Sequence, residues 1–170
     1  MITRPRRFGK TLTMSMVEQF FSIDYAGRSD LFEHLAIWKE EKYRELQGTY
    51  PVISLSFARI KERDYEKTKQ KMCEVLRNIY IKFCYIKDSE KLTDADRAYY
   101  ERMLEENIKE TDATSSLYQL SDFLYRYYGK KVIILLDEYD TPMQEACVDG
   151  DWDELVAFTR SLFNSTFKTN

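Results

Sequence analysis

The sequence predicts an α/β fold in which a mainly parallel sheet is flanked by helices, and three observations carry that prediction. Residues 52–57 and 132–136 are short apolar runs rich in β-branched side chains, the composition of core strands. Elsewhere apolar residues recur every three or four positions, the period of helices with one buried face. The two kinds of segment alternate along the chain, the order of strands joined by helices that cover the sheet. In such sheets ligands sit beyond the carboxyl ends of the strands.

A strand is expected to begin at Ile2 and to lie beside residues 132–136. Leu12, Met16, Val17, Phe20 and Phe21 then keep helical spacing and predict an amphipathic helix packed on the sheet. Residues 27–30 break that pattern, and 31–41 reads as a short helical or irregular connection. Gly48 and Pro51 set off the strand at 52–57. Met72, Val75, Leu76, Ile79, Tyr80 and Phe83 form an apolar stripe in a helix over residues 65–86, continued by a polar helix over 94–109. Leu117, Leu120, Phe123, Leu124, Tyr127 and Tyr128 mark a further helix, started by Ser115 or Ser116 and stopped by Gly129. The apolar run at 132–136 predicts a strand buried on both faces. Leu155, Thr159, Leu162 and Phe163 give the last helix. Residues 87–96 and 110–116 are polar enough to be expected mobile.

Chemistry concentrates at two places. Arg4-Pro5-Arg6-Arg7-Phe8-Gly9-Lys10-Thr11 matches a phosphate-binding loop, which asks for Gly, four residues, Gly, Lys and Ser or Thr, with Arg4 in place of the first Gly. Gly9 lets backbone N–H groups approach phosphate, Lys10 can bridge the β and γ phosphates, and the Thr11 hydroxyl can ligate Mg²⁺. A helix starting here aims its positive end at the anion. The expected nucleotide-binding residues are Arg6, Arg7, Phe8, Gly9, Lys10, Thr11 and Leu12. Asp137 and Glu138 end the strand at 132–136; the first is placed to hold Mg²⁺ with Thr11, and the second to deprotonate an attacking water. Taken singly, the first pattern is also that of a solvated basic terminus, and the second that of a strand running into an exposed loop. Their order, loop before helix and acids after strand, points to a nucleotide site.

With these residues the chain resembles the bacterial and archaeal AAA-ATPase-like family of P-loop proteins. The resemblance rests on Ile2 through Thr11, on Val132-Ile133-Ile134-Leu135-Leu136-Asp137-Glu138-Tyr139-Asp140-Thr141-Pro142, and on the intervening residues 48–57 and 128–131. It implies a three-layer P-loop NTPase fold and an ATPase with an extra strand between the loop strand and the acidic strand. It also implies a catalytic Glu beside the Mg²⁺-binding Asp. Lys10, Thr11, Asp137 and Glu138 match that motif residue by residue, and Arg4 is similar to the family's own variant of the loop. Family members often carry a nuclease-like domain after the ATPase, which this chain does not contain.

Composition narrows the alternatives. At 170 residues and 44% hydrophobic content one domain is expected. Charged residues make up 32% but the net charge is only −3, which argues against a dedicated nucleic-acid binder. The three cysteines, Cys73, Cys84 and Cys147, fit neither a zinc site nor a disulfide framework and are expected reduced and buried, as in a cytoplasmic protein. His34, the one histidine, is expected to be packed or on the surface rather than catalytic. No apolar run is long enough to span a bilayer, so no membrane partner is expected.

The expected function is therefore ATP binding with Mg²⁺-dependent hydrolysis, Glu138 acting as the base. Arg6 or Arg7 either neutralises charge in the transition state or pairs with an acid such as Asp140. A nucleotide-dependent interaction module without efficient turnover and the ATPase part of a nucleic-acid-processing protein are the competing functions. Only Met1-Ile2-Thr3 precede the loop, and the chain stops at Asn170 before a strand that could sense the γ-phosphate. Residues 1–170 are accordingly expected to be a partial domain with slow turnover.

Overall fold

The computed structural model describes residues 9–62, 64–146 and 152–167. Among these residues run α1 (Lys10–Phe21), α2 (Glu41–Arg44), β1 (Val52–Ser56), α3 (Tyr65–Lys82), α4 (Asp94–Leu104), α5 (Glu110–Tyr128), β2 (Ile133–Asp137), α6 (Thr141–Ala146) and α7 (Trp152–Phe167). The expected strand at Ile2, the loop residues Arg6, Arg7 and Phe8, and Cys147 lie outside the described residues.

The strands pair in parallel, from Val52 opposite Ile133 to Ser56 opposite Asp137. A parallel pair requires a long crossover, which α3, α4 and α5 supply. The ladder extends past both strand ends: the Ile133 N–H donates to the Pro51 carbonyl at 3.0 Å and the Phe57 N–H to the Asp137 carbonyl at 3.1 Å. The second bond anchors the backbone of Asp137 where the strand stops.

Ile53, Leu55 and Phe57 alternate onto one face and are all buried. They join Met72, Leu76 and Tyr80 of α3, Leu120 and Phe123 of α5, and Phe158 and Leu162 of α7 in one core. Two tyrosines in that core satisfy their hydroxyls on backbone oxygens, Tyr80 on the Ser116 carbonyl at 2.8 Å and Tyr100 on the Tyr80 carbonyl at 2.7 Å.

Helix α1 packs on both strands, and its buried Phe20 stands outside that core, edge-on to Phe32 at 5.1 Å. Its far end is stitched to the segment entering β1. The Gly48 N–H donates to the Phe20 carbonyl at 2.8 Å and the Tyr50 N–H to the Phe21 carbonyl at 2.9 Å. At Gly48 φ is +65° and a Cβ would stand 2.5 Å from the Cα of Ala26, so only glycine fits this crossing. These contacts fix the direction of α1 and hence where its first turn lies.

Several expectations change. Strand β2 is half-buried along its length rather than buried on both faces, because among the described residues β1 is its only neighbouring strand. Helix α5 starts at Glu110, not at Ser115 or Ser116. Glu110 and Asp112 favour the positive end of the helix, while the Ser115 and Ser116 hydroxyls bond back to the Thr111 and Ala113 carbonyls at 3.1 and 2.7 Å. Residues 110–116 are therefore helical turns and not a mobile segment. Residues 87–96 are likewise pinned, by buried Leu92 and by a reciprocal capping box between Thr93 and Asp96. Helix α3 stops at Lys82, so Cys84 falls in a short 3₁₀ turn and is exposed, whereas Cys73 is buried as expected. Helix α4 ends at Leu104, short of Lys109. No helix of the described residues is long and apolar enough to cross a membrane.

Candidate nucleotide and metal site

Gly9 opens the site. It holds φ 72° and ψ 26°, a left-handed conformation suited to a residue without Cβ, and its carbonyl accepts both the N–H and the hydroxyl of Thr13, at 2.8 and 2.9 Å. Helix α1 thus begins at Lys10 with no side-chain cap and no acidic residue in its first turn. The positive end of its dipole is not offset by a carboxylate of its own. Lys10 is half-buried and makes no ion pair among the described residues. Leu12, 66% exposed, turns to solvent and can serve a ligand through its backbone N–H.

The second half comes from the end of β2. The Thr11 hydroxyl donates to Oδ2 of Asp137 at 3.1 Å, joining two residues 126 positions apart in the sequence. Asp137 is held on its other side by the ladder bond from Phe57.

Immediately after, Glu138 turns the chain with φ 52°, the one positive φ at a non-glycine among the described residues. A residue of this kind in the left-handed region stores strain of about 1–3 kcal/mol and is found where surrounding contacts impose it. Here the contacts are local. The Thr141 N–H donates to the Glu138 carbonyl at 3.1 Å and the Thr141 hydroxyl to Oε2 of Glu138, also at 3.1 Å. The intervening Tyr139 packs edge-on against Phe163 of α7, ring centroids 6.0 Å apart. Asp140 receives the Gln144 side chain at 2.7 Å and the Gln144 N–H at its carbonyl at 3.0 Å, which starts α6.

The donors available to a cation are two hard oxygens, Thr11 Oγ1 and Asp137 Oδ2, on adjoining elements. No group of three or more His, Cys, Asp or Glu able to hold a metal occurs among the described residues. That donor set is poor for zinc and fits Mg²⁺, which takes one carboxylate and a hydroxyl together with phosphate oxygens and water. Gly9, Lys10, Thr11 and Leu12 on one side and Asp137 and Glu138 on the other therefore share the edge where β2 ends. Thr141 is not among the residues the sequence patterns single out. Its available signal was a Glu-x-x-Thr spacing followed by Pro142 at a helix start.

A protein-family model described as AAA-ATPase_like, a predicted AAA-ATPase, matches residues 1–170. No curated protein matches the chain. No solved structure matches it either.

Proposed function

Starting from a chain that belongs to the predicted AAA-ATPase family, we propose that residues 1–170 form a P-loop NTPase domain that binds ATP with Mg²⁺ and hydrolyses it where α1 meets β2. The observation that carries this reading is the Thr11 to Asp137 hydrogen bond of 3.1 Å. It joins the two oxygens that would hold Mg²⁺ beside a bound nucleotide.

Lys10 and the N–H groups of the first turn of α1 take the phosphate oxygens, with Arg6, Arg7 and Phe8 completing the loop ahead of Gly9. Thr11 and Asp137 would hold the metal, which would supply positive charge against that developing on the transferring phosphoryl group. Glu138 accepts a proton from the water as its oxygen bonds to the γ-phosphorus, and the bond from that phosphorus to the β–γ bridging oxygen breaks. ADP and inorganic phosphate leave. The Glu138 carboxylate suits this task because it is exposed beside Asp137 and carries no basic partner among the described residues.

Phosphate release from ATP tests the reading. Glu138→Gln is expected to bind Mg²⁺·ATP as the unsubstituted chain does and to lose about a hundredfold or more in kcat, the scale of a lost general base. A Glu138→Gln variant with normal turnover would place the base elsewhere.

A further inference from the structure

Hydrolysis at this site requires more of Glu138 than its presence next to Asp137. An exposed glutamate rotates about three side-chain bonds, and a general base must be aimed at one water. The bend after β2 carries a device for aiming it.

Thr141 is fastened to Glu138 twice, backbone to backbone and hydroxyl to carboxylate, both at 3.1 Å. The donor stands on a firm base. Thr141 is β-branched, which restricts its own rotation, and it is the first residue of α6. Pro142, buried behind it, has its φ fixed by its ring and forfeits only an N–H that a first helical turn does not need. Tyr139 pins the same bend to Phe163. One carboxylate oxygen of Glu138 is thereby held, while Oε1 has no hydrogen bond among the described residues and keeps its lone pairs for a water proton.

We propose that Thr141 is the positioning residue for Glu138: its hydroxyl fixes Oε2 and so directs Oε1 at the attacking water. The proposal rests on the hydrolytic role of Glu138 given above. It requires the hydroxyl, not merely the shape of threonine, and it acts through Glu138 alone.

Steady-state phosphate release at varied and saturating Mg²⁺·ATP, which gives kcat and KM, measured alongside nucleotide affinity, separates these requirements. Thr141→Val keeps the shape and removes the donor. It is expected to lower the rate about tenfold, the order of a misplaced catalytic group, with nucleotide affinity and KM changed less than about twofold. Thr141→Ser, which restores the donor, should recover most of the rate. Combined with Glu138→Gln, Thr141→Val should cost nothing further, since the group it positions is gone. Thr141→Ala makes the same comparison should the valine variant fold poorly. A Thr141→Val rate equal to that of the unsubstituted chain overturns the proposal. So does a loss that persists undiminished in the Glu138→Gln background, or a KM that rises in step with the loss. Failure of the underlying reading looks different: Glu138→Gln itself, or the unsubstituted chain, would then break the expected pattern whatever the residue at 141.

Discussion

Replacing Glu138 by glycine should make the protein more stable while abolishing turnover. Glu138 holds φ 52° at the end of β2, and a side chain there costs about 1–2 kcal/mol relative to glycine. Against this gain stand the greater freedom of glycine in the unfolded chain, about 0.4–1 kcal/mol, and the loss of an exposed hydrogen bond from Thr141, about 0.5 kcal/mol at the low end for such bonds. The balance is a small stabilisation of roughly 0.3 kcal/mol. Its sign is the informative part, because the same change in an unstrained position goes the other way. Ala98→Gly, at an exposed interior position of α4, should destabilise by about 1 kcal/mol. Urea unfolding of both variants at equal m-value gives the comparison, and phosphate release gives the activity. If Glu138→Gly costs as much stability as Ala98→Gly, the left-handed conformation stores no strain. If it retains turnover, the carboxylate is not the base.

Elsewhere the expectations concern stability and reactivity. Arg126, hydrogen-bonded to Asp96 at 2.9 Å, together with Thr93 holds that carboxyl down to about 2 against the opposing effect of burial. The folded pKa lies below the unfolded one, so the stabilisation is fully present above about pH 4 and is lost as pH falls through about 2. Asp96→Asn should therefore cost on the order of 1–2 kcal/mol at pH 7 and flatten the acid limb of a stability–pH curve; an unchanged limb would contradict the pairing. Tyr80→Phe removes a buried donor to the Ser116 carbonyl and should cost about 1 kcal/mol by chemical denaturation, with turnover unchanged. Burial pushes the Cys73 thiol up to about 11, while Cys84 stands in solvent. Peptide mapping after brief alkylation of the folded protein should find Cys84 modified and Cys73 protected; equal labelling would mean that α3 does not bury its stripe.

What could be read from the sequence was whatever one local pattern decides. The runs at 52–57 and 132–136 became β1 and β2 because β-branched apolar residues suit an extended core position. The stripes of α3, α5 and α7 emerged as buried faces for the same kind of reason. The start of α5 is not legible because Ser115 and Ser116 look like caps, whereas serine inside a helix can bond back to its own turn. The burial of β2 is not legible because it depends on neighbouring strands, and a run of five residues does not specify how many it has. At the site, the approach of Thr11 to Asp137 follows from loop, helix and strand order, and the two stand in contact. The pairing of Thr141 with Glu138 does not follow from any such order. It arises from a left-handed glutamate, a conformation that sequence disfavours and that only the surrounding contacts make available.

Calorimetric titration of ATP, with and without Mg²⁺, into the unsubstituted chain and into Asp137→Asn puts the proposed metal site to the test. If Thr11 and Asp137 hold the metal between α1 and β2, Mg²⁺ should tighten ATP binding to the unsubstituted chain about tenfold or more, and Asp137→Asn should lose most of that gain while still binding the nucleotide. An Asp137→Asn variant with the full Mg²⁺ dependence of the unsubstituted chain would contradict the account.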